Sequence, residues 1–84
     1  MEYQIRFTPQ AEKELEKLPE NDRLRIKAAF SRLRHNPYEG KKLKGKLKNA
    51  YSLRVWPYRV AYYIYQKEYM VFIFRLKHRR DVYR

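Results

Sequence analysis

Arginines recur at short spacing in the second half of the chain. Arg54 and Arg59 bracket the stretch VWPY, and the sequence closes on HRRDVYR, which gathers His78, Arg79, Arg80, Asp81 and Tyr83 behind an apolar run. A guanidinium holds phosphate through forked N–H donors and keeps its proton at any ordinary pH, so arginines act as electrostatic clamps rather than proton shuttles. Histidine is the side-chain type that titrates near neutrality. His78 is therefore the proton-transfer candidate, and Asp81 either orients it or pairs with an arginine. His35, at a helix end, reads as structural. A ring such as Tyr83 can stack on an unpaired base. Together these residues point to holding the phosphates of a nucleic acid, with charge stabilisation plentiful and acid–base groups scarce. The chain has no Gly-rich phosphate loop, no Cys/His metal spacing and no Ser-His-Asp set. Neither a metal nor a cofactor is called for.

These side chains act together only if the backbone aims them at one surface. Tyr3, Ile5 and Phe7 alternate with polar neighbours and predict a first strand. Thr8 before Pro9 reads as an N-cap with proline at the first helical position. Ala11, Leu15 and Leu18 then predict a helix over 9–18, which Pro19 stops. A second, longer helix is expected from an Asn21 cap, with Ile26, Ala29, Phe30 and Leu33 as its buried stripe and His35-Asn36-Pro37 as its end. YEGKKLKGKLKNA reads as a long loop, pinned to the core by Leu43 and Leu47. The rest is strand. Tyr51, Leu53 and Val55 alternate with Ser52, Arg54 and Trp56, and a tight turn at Trp56-Pro57 leads into 59–66. Lys67-Glu68 turns the chain into YMVFIFRL. The expected fold is α+β in the order β-α-α-β-β-β, one domain over 1–84. Two N-terminal helices pack on one face of a small, twisted, mainly antiparallel sheet.

Strand side chains alternate between faces. With Leu53, Val55, Val60, Tyr62 and Ile64 toward the helices, Arg54 and Arg59 point away, roughly opposite one another across the hairpin. Like charges so placed weaken a sheet, and a sequence that keeps them there implies an anion to hold. Tyr63 and Tyr65 continue this face, and the C-terminal cluster arrives at one end of it. The competing reading is a wet face of unconnected, solubilising arginines.

Composition agrees with a polyanion partner. The 84 residues carry 21 Lys+Arg against 9 Asp+Glu, a formal net charge of +12, and such a field attracts nucleic acid. Lys42, Lys44, Lys46 and Lys48, with Lys41, form an electrostatic funnel whose contribution to RNA affinity falls with salt. Most of the 9 tyrosines suit half-buried strands; Tyr63, on the open face, is the one assigned to RNA. The chain lacks an apolar run of the roughly 20 residues a spanning helix needs, and MEYQIRFT is no export signal. Without cysteine there is no disulfide or thiolate chemistry, which suits a reducing compartment, and the cytoplasm is expected.

At these residues the chain resembles the RelE/ParE superfamily of bacterial and archaeal toxins, in its RelE-like branch. The resemblance spans the whole chain. It covers the element order, KLKG at 42–45, YSLRVWPYRVAYYI at 51–64 and the closing HRRDVYR; the family's core commonly runs Tyr-Arg-x-Arg-x-Gly-x-Tyr-Arg-x-x-Tyr. The resemblance implies the toxin of a type II toxin–antitoxin system, a ribosome-dependent mRNA endonuclease. It would cut in the A site by metal-independent attack of a 2′-hydroxyl on the adjacent phosphate. Arg54 and Arg59 would hold phosphate, Arg79 or Arg80 would sit near the leaving 5′-oxygen, and Tyr83 would stack on or orient a base. Ser52 stands where the family usually has Arg or Lys, and Trp56 where glycine is common. These departures leave room for a ParE-type gyrase-inhibiting toxin or a catalytically inactive RNA- or antitoxin-binding module. The implied partners are the ribosome, mRNA and a RelB-like antitoxin, acidic because +12 on so small a domain calls for a counter-charged partner. With proton transfer scarce, cleavage of naked RNA is expected to be negligible, the ribosome supplying the positioning.

Overall fold

The computed structural model describes residues 2–45 and 49–82. Strand β1 (Gln4–Phe7) leads into helices α1 (Pro9–Glu16) and α2 (Glu20–His35). A 3-10 turn (Pro37–Glu39), strand β2 (Lys41–Lys42), strands β3 (Ala50–Val55), β4 (Tyr58–Tyr65) and β5 (Met70–His78), and a last helical turn α3 (Arg79–Val82) follow. The sheet order is β1-β5-β4-β3-β2. β1 runs parallel to β5, and the other pairs are antiparallel. The expected α+β arrangement is present, with β2 and α3 added.

Local chemistry accounts for most boundaries. The Thr8 hydroxyl accepts from Ala11 N at 3.1 Å, capping α1 as expected, although the helix ends at Glu16 rather than Leu18. Asn21 does not cap α2. Pro19 holds the N-cap position without a side-chain bond, and the helix begins at Glu20; Pro19 sets the start, and Glu20 and Asp22 complement the dipole in the first turn. Lys41 and Lys42 pair with Ser52 and Tyr51, so part of the expected loop is sheet. Tyr69 sits in the β4–β5 turn with φ +51°, which delays β5 to Met70.

The core lies between the helices and one face of the sheet. Ala11 and Leu15 of α1 and Ile26, Ala29, Phe30 and Leu33 of α2 bury against Leu53, Val60, Tyr62, Ile64, Val71, Ile73 and Leu76. On β5 the alternation breaks. Val60 pairs with Leu76, Ala61 with Arg75 and Tyr62 with Ile73, leaving Phe74 as the extra residue of a bulge.

β1 ends at Phe7, so the last part of β5 has no strand on that side. Glu14 takes over: its carboxylate accepts from Leu76 N at 2.8 Å and lies 3.4 Å from Arg75 Nε. Glu14→Ala strands the Leu76 N–H and is expected to lower stability by about 1–2 kcal/mol. Glu14→Gln keeps an acceptor and should lose less, as urea denaturation midpoints will report.

Candidate functional site

β3 and β4 turn Leu53, Tyr58, Val60 and Tyr62 into the core, which leaves Ser52, Arg54, Arg59, Ala61 and Tyr63 on the opposite face. Arg54 and Arg59 are direct cross-strand partners, and Arg59 is in turn partnered by Lys77 on β5. Three cations therefore stand in one row across three strands. Neighbouring strands lie about 4.8 Å apart, so the row spans roughly 10 Å. Lys41, paired with Ser52, extends the same face to the sheet edge. Beside the row is an open groove of about 570 Å³, lined among others by Lys41, Lys42, Lys44, Ser52, Arg54 and Arg59. Its acidic lining residue, Glu39, is already engaged by Arg32 Nε at 3.1 Å. The concavity is thus strongly positive, and an anion is what it can hold.

The tail reaches this face at the hairpin turn. Arg79 N donates to Pro57 O at 2.7 Å, and the Arg79 guanidinium carbon lies 5.1 Å from the centroid of the Trp56 ring. The Arg54 guanidinium carbon is 5.9 Å from the same ring. Of the two adjacent arginines, Arg79 is the one whose guanidinium, like that of Arg54, lies over the Trp56 ring. Arg80 is exposed, and its backbone N donates to His78 Nδ1 at 3.2 Å.

His78 is on the other side. It is the cross-strand partner of Tyr58, and the two rings meet edge to face at 5.4 Å. The Tyr58 hydroxyl donates to the Asp22 carboxylate of α2 at 2.8 Å; burial pushes the Tyr58 pKa up, and that bond adds to the shift. The bulge at Phe74 is the cause, because it moves His78 to the helix side and Lys77 to the open side. The expectation that His78 exchanges a proton within the groove is corrected: it faces away from the arginine row, with Nδ1 occupied.

Tyr63 stacks on Phe74 at 4.4 Å and lies 6.3 Å from Tyr65, forming an aromatic lane beyond the cations. Lys42 and Lys44 line the groove. Leu43 N donates to Ala50 O at 2.8 Å, tying the loop to β3. Lys46, Leu47, Lys48 and Tyr83 lie outside the described residues. Lys77 is the residue of the row that sequence reasoning missed. Leu76, apolar between Arg75 and Lys77, was the one sign that the strand's phase had changed. Trp56 stood out only as a departure from the family pattern, although two guanidiniums gather at its ring. Among the described residues, no group of three His, Asp or Glu side chains is placed to share a metal ion.

Comparison with known proteins places this geometry. Residues 5–83 match the family model described as the ParE toxin of the type II toxin–antitoxin system parDE. Toxin RelG of Mycobacterium tuberculosis is 37% identical over 86 residues, an alignment covering 100% of this chain and 99% of the relative. The toxin–antitoxin complex RelBE2 from the same organism has a chain that superposes with a TM-score of 0.84 at 34% identity, over 93% of this chain and 99% of that one. A chain of the RelE–RelB complex from Pyrococcus horikoshii OT3 gives 0.82 at 28% identity, over 94% and 97%. The intact E. coli RelBE complex gives 0.80 at 28%, over 90% and 95%.

Proposed function

Because the chain belongs to the ParE toxin family of type II toxin–antitoxin systems, we propose that it is a RelE-like member that cuts ribosome-bound mRNA in the A site. The observation that carries this reading is the cross-strand pair of Arg54 and Arg59 on the open face, extended by Lys77. In the proposed step a ribose 2′-oxygen bonds to the adjacent phosphorus, the bond to the 5′-oxygen breaks, and a proton passes from the attacking to the leaving oxygen. The products are a cyclic phosphate and a 5′-hydroxyl. Arg54, Arg59 and Lys77 take up the extra charge on the phosphoryl oxygens, and Arg79 lies toward the leaving group. Because arginine is a poor acid or base and His78 is turned away, the protein's share is mainly charge stabilisation. The ribosome then supplies alignment. Solved relatives include complexes with RelB, which supports a RelB-like antitoxin as partner, and the net charge of +12 argues for an acidic one.

Purified protein added to a cell-free translation reaction should cut mRNA within ribosome-occupied codons and leave the same mRNA uncut without ribosomes. Intact ribosome-bound mRNA would refute the reading. The ParE description of the matching family and the absence of His78 from the groove favour a second reading, inhibition of DNA gyrase. A supercoiling assay decides between them, since an endonuclease leaves gyrase untouched.

A further inference from the structure

We propose that Trp56 is a nucleobase platform, on whose indole one base of a single-stranded RNA stacks while Arg54 and Arg79 hold the flanking phosphates. This rests on the reading that RNA is the ligand of the arginine row. The fold uses the Trp56 backbone: its carbonyl accepts from the Arg25 guanidinium, which ties α2 to the hairpin turn. The ring has no comparable structural use. It keeps 54% of its surface exposed, although an indole is among the side chains most favourably buried.

What surrounds the ring is charge. Arg54 comes from β3 and Arg79 from the start of α3, and their guanidinium carbons lie 5.9 and 5.1 Å from the ring centroid. Two cations drawn to one place repel, and the negative π face offsets part of that repulsion. A phosphate is the better partner, because its bonds to guanidinium are charge-assisted and paired. When the arginines turn to phosphates, the indole face is released, and the planar group carried between successive phosphates is a base. Stacking tolerates any base, so the platform holds a nucleotide without selecting it.

Trp56 is the only tryptophan in the chain, so its emission reports on this ring alone. The whole protein is titrated at low salt with a short 2′-O-methylated, uncleavable oligoribonucleotide, and with an abasic oligomer carrying the same phosphates. The intact oligomer should quench emission and bind roughly tenfold more tightly than the abasic one. Followed instead by the fluorescence anisotropy of end-labelled oligomers, which needs no tryptophan, Trp56→Ala should lose that preference and Trp56→Phe should retain most of it; circular dichroism confirms that both variants fold. Equal quenching by the two oligomers, or a preference that survives Trp56→Ala, overturns the proposal. If neither oligomer binds the free protein, A-site cleavage decides. A roughly tenfold loss in Trp56→Ala that Trp56→Phe restores supports the platform. Unchanged cleavage in Trp56→Ala removes the platform and leaves the endonuclease reading standing, and no cleavage even by the wild type removes both.

Discussion

Arg59→Ala is expected to slow A-site cleavage on the order of 10²–10³-fold while leaving the protein as stable as before, or slightly more so. Arg59 is half-buried in the middle of the cationic row, partnered by Arg54 on one side and Lys77 on the other. A donor held there is already in place when charge builds on the phosphoryl oxygens, and its removal is felt mainly in the transition state. In the free protein its effect has the opposite sign. Like charges on neighbouring strands repel, so truncation should stabilise the sheet by a few tenths of a kcal/mol. Arg59→Lys keeps the charge but loses the planar fork, and should fall between alanine and wild type. Arg54→Ala should lose less, because Arg54 is more exposed. Primer extension on ribosome-bound mRNA measures the rate, and urea midpoints measure stability. A fall in both would mean that Arg59 supports the fold, and an unchanged rate would mean that phosphate is held elsewhere.

The arginine pair was legible because β3 and β4 pair without a defect from Ala50 to Val55. Period two needs nothing else to put Arg54 and Arg59 on one side. The same rule failed on β5. Val71 and Ile73 face the core, and alternation carried forward would send Lys77 inward and His78 outward. The extra residue at Phe74 reverses this: Leu76 is buried, and Lys77 and His78 exchange sides. No glycine announces the bulge, and residues 70–74 are apolar throughout, so either phase satisfies the sequence until Leu76. β2 was hidden for another reason. Two lysines have little intrinsic preference for a strand, and they are held in one by pairing with Ser52 and Tyr51, eleven and nine positions away. Asn21 had the chemistry of a cap, but Pro19 started the helix first.

Tyr62→Phe is expected to destabilise the protein by about 2–3 kcal/mol, although its ring stays fully buried. The Tyr62 hydroxyl donates to Pro37 O at 2.7 Å and accepts from Gly40 N at 3.1 Å. It thereby fixes the turn that leads into the lysine-bearing loop, and phenylalanine leaves both backbone groups without their partner. Gly40 belongs to the same device. Its φ of −74° is open to any residue, so glycine is needed there for space. A Cβ would lie 2.5 Å from the Tyr62 hydroxyl and 2.8 Å from Ser52 O. Gly40→Ala should therefore also destabilise, by driving the loop off β3 at the edge of the groove. The double variant should lose less than the sum of the two, because the hydroxyl is common to both effects; it should remain below Tyr62→Phe alone, because the clash with Ser52 O persists. Strict additivity in urea midpoints would show that the two residues act independently. Burial also pushes the Tyr62 pKa from 10.0 up to about 12. Folding thus favours the protonated hydroxyl, whose contribution is fully present below pH 10 and is lost as pH rises from 10 through 12. Over that window the stability gap between wild type and Tyr62→Phe should narrow; a constant gap would mean that the buried hydroxyl ionises as readily in the folded chain as in the unfolded one.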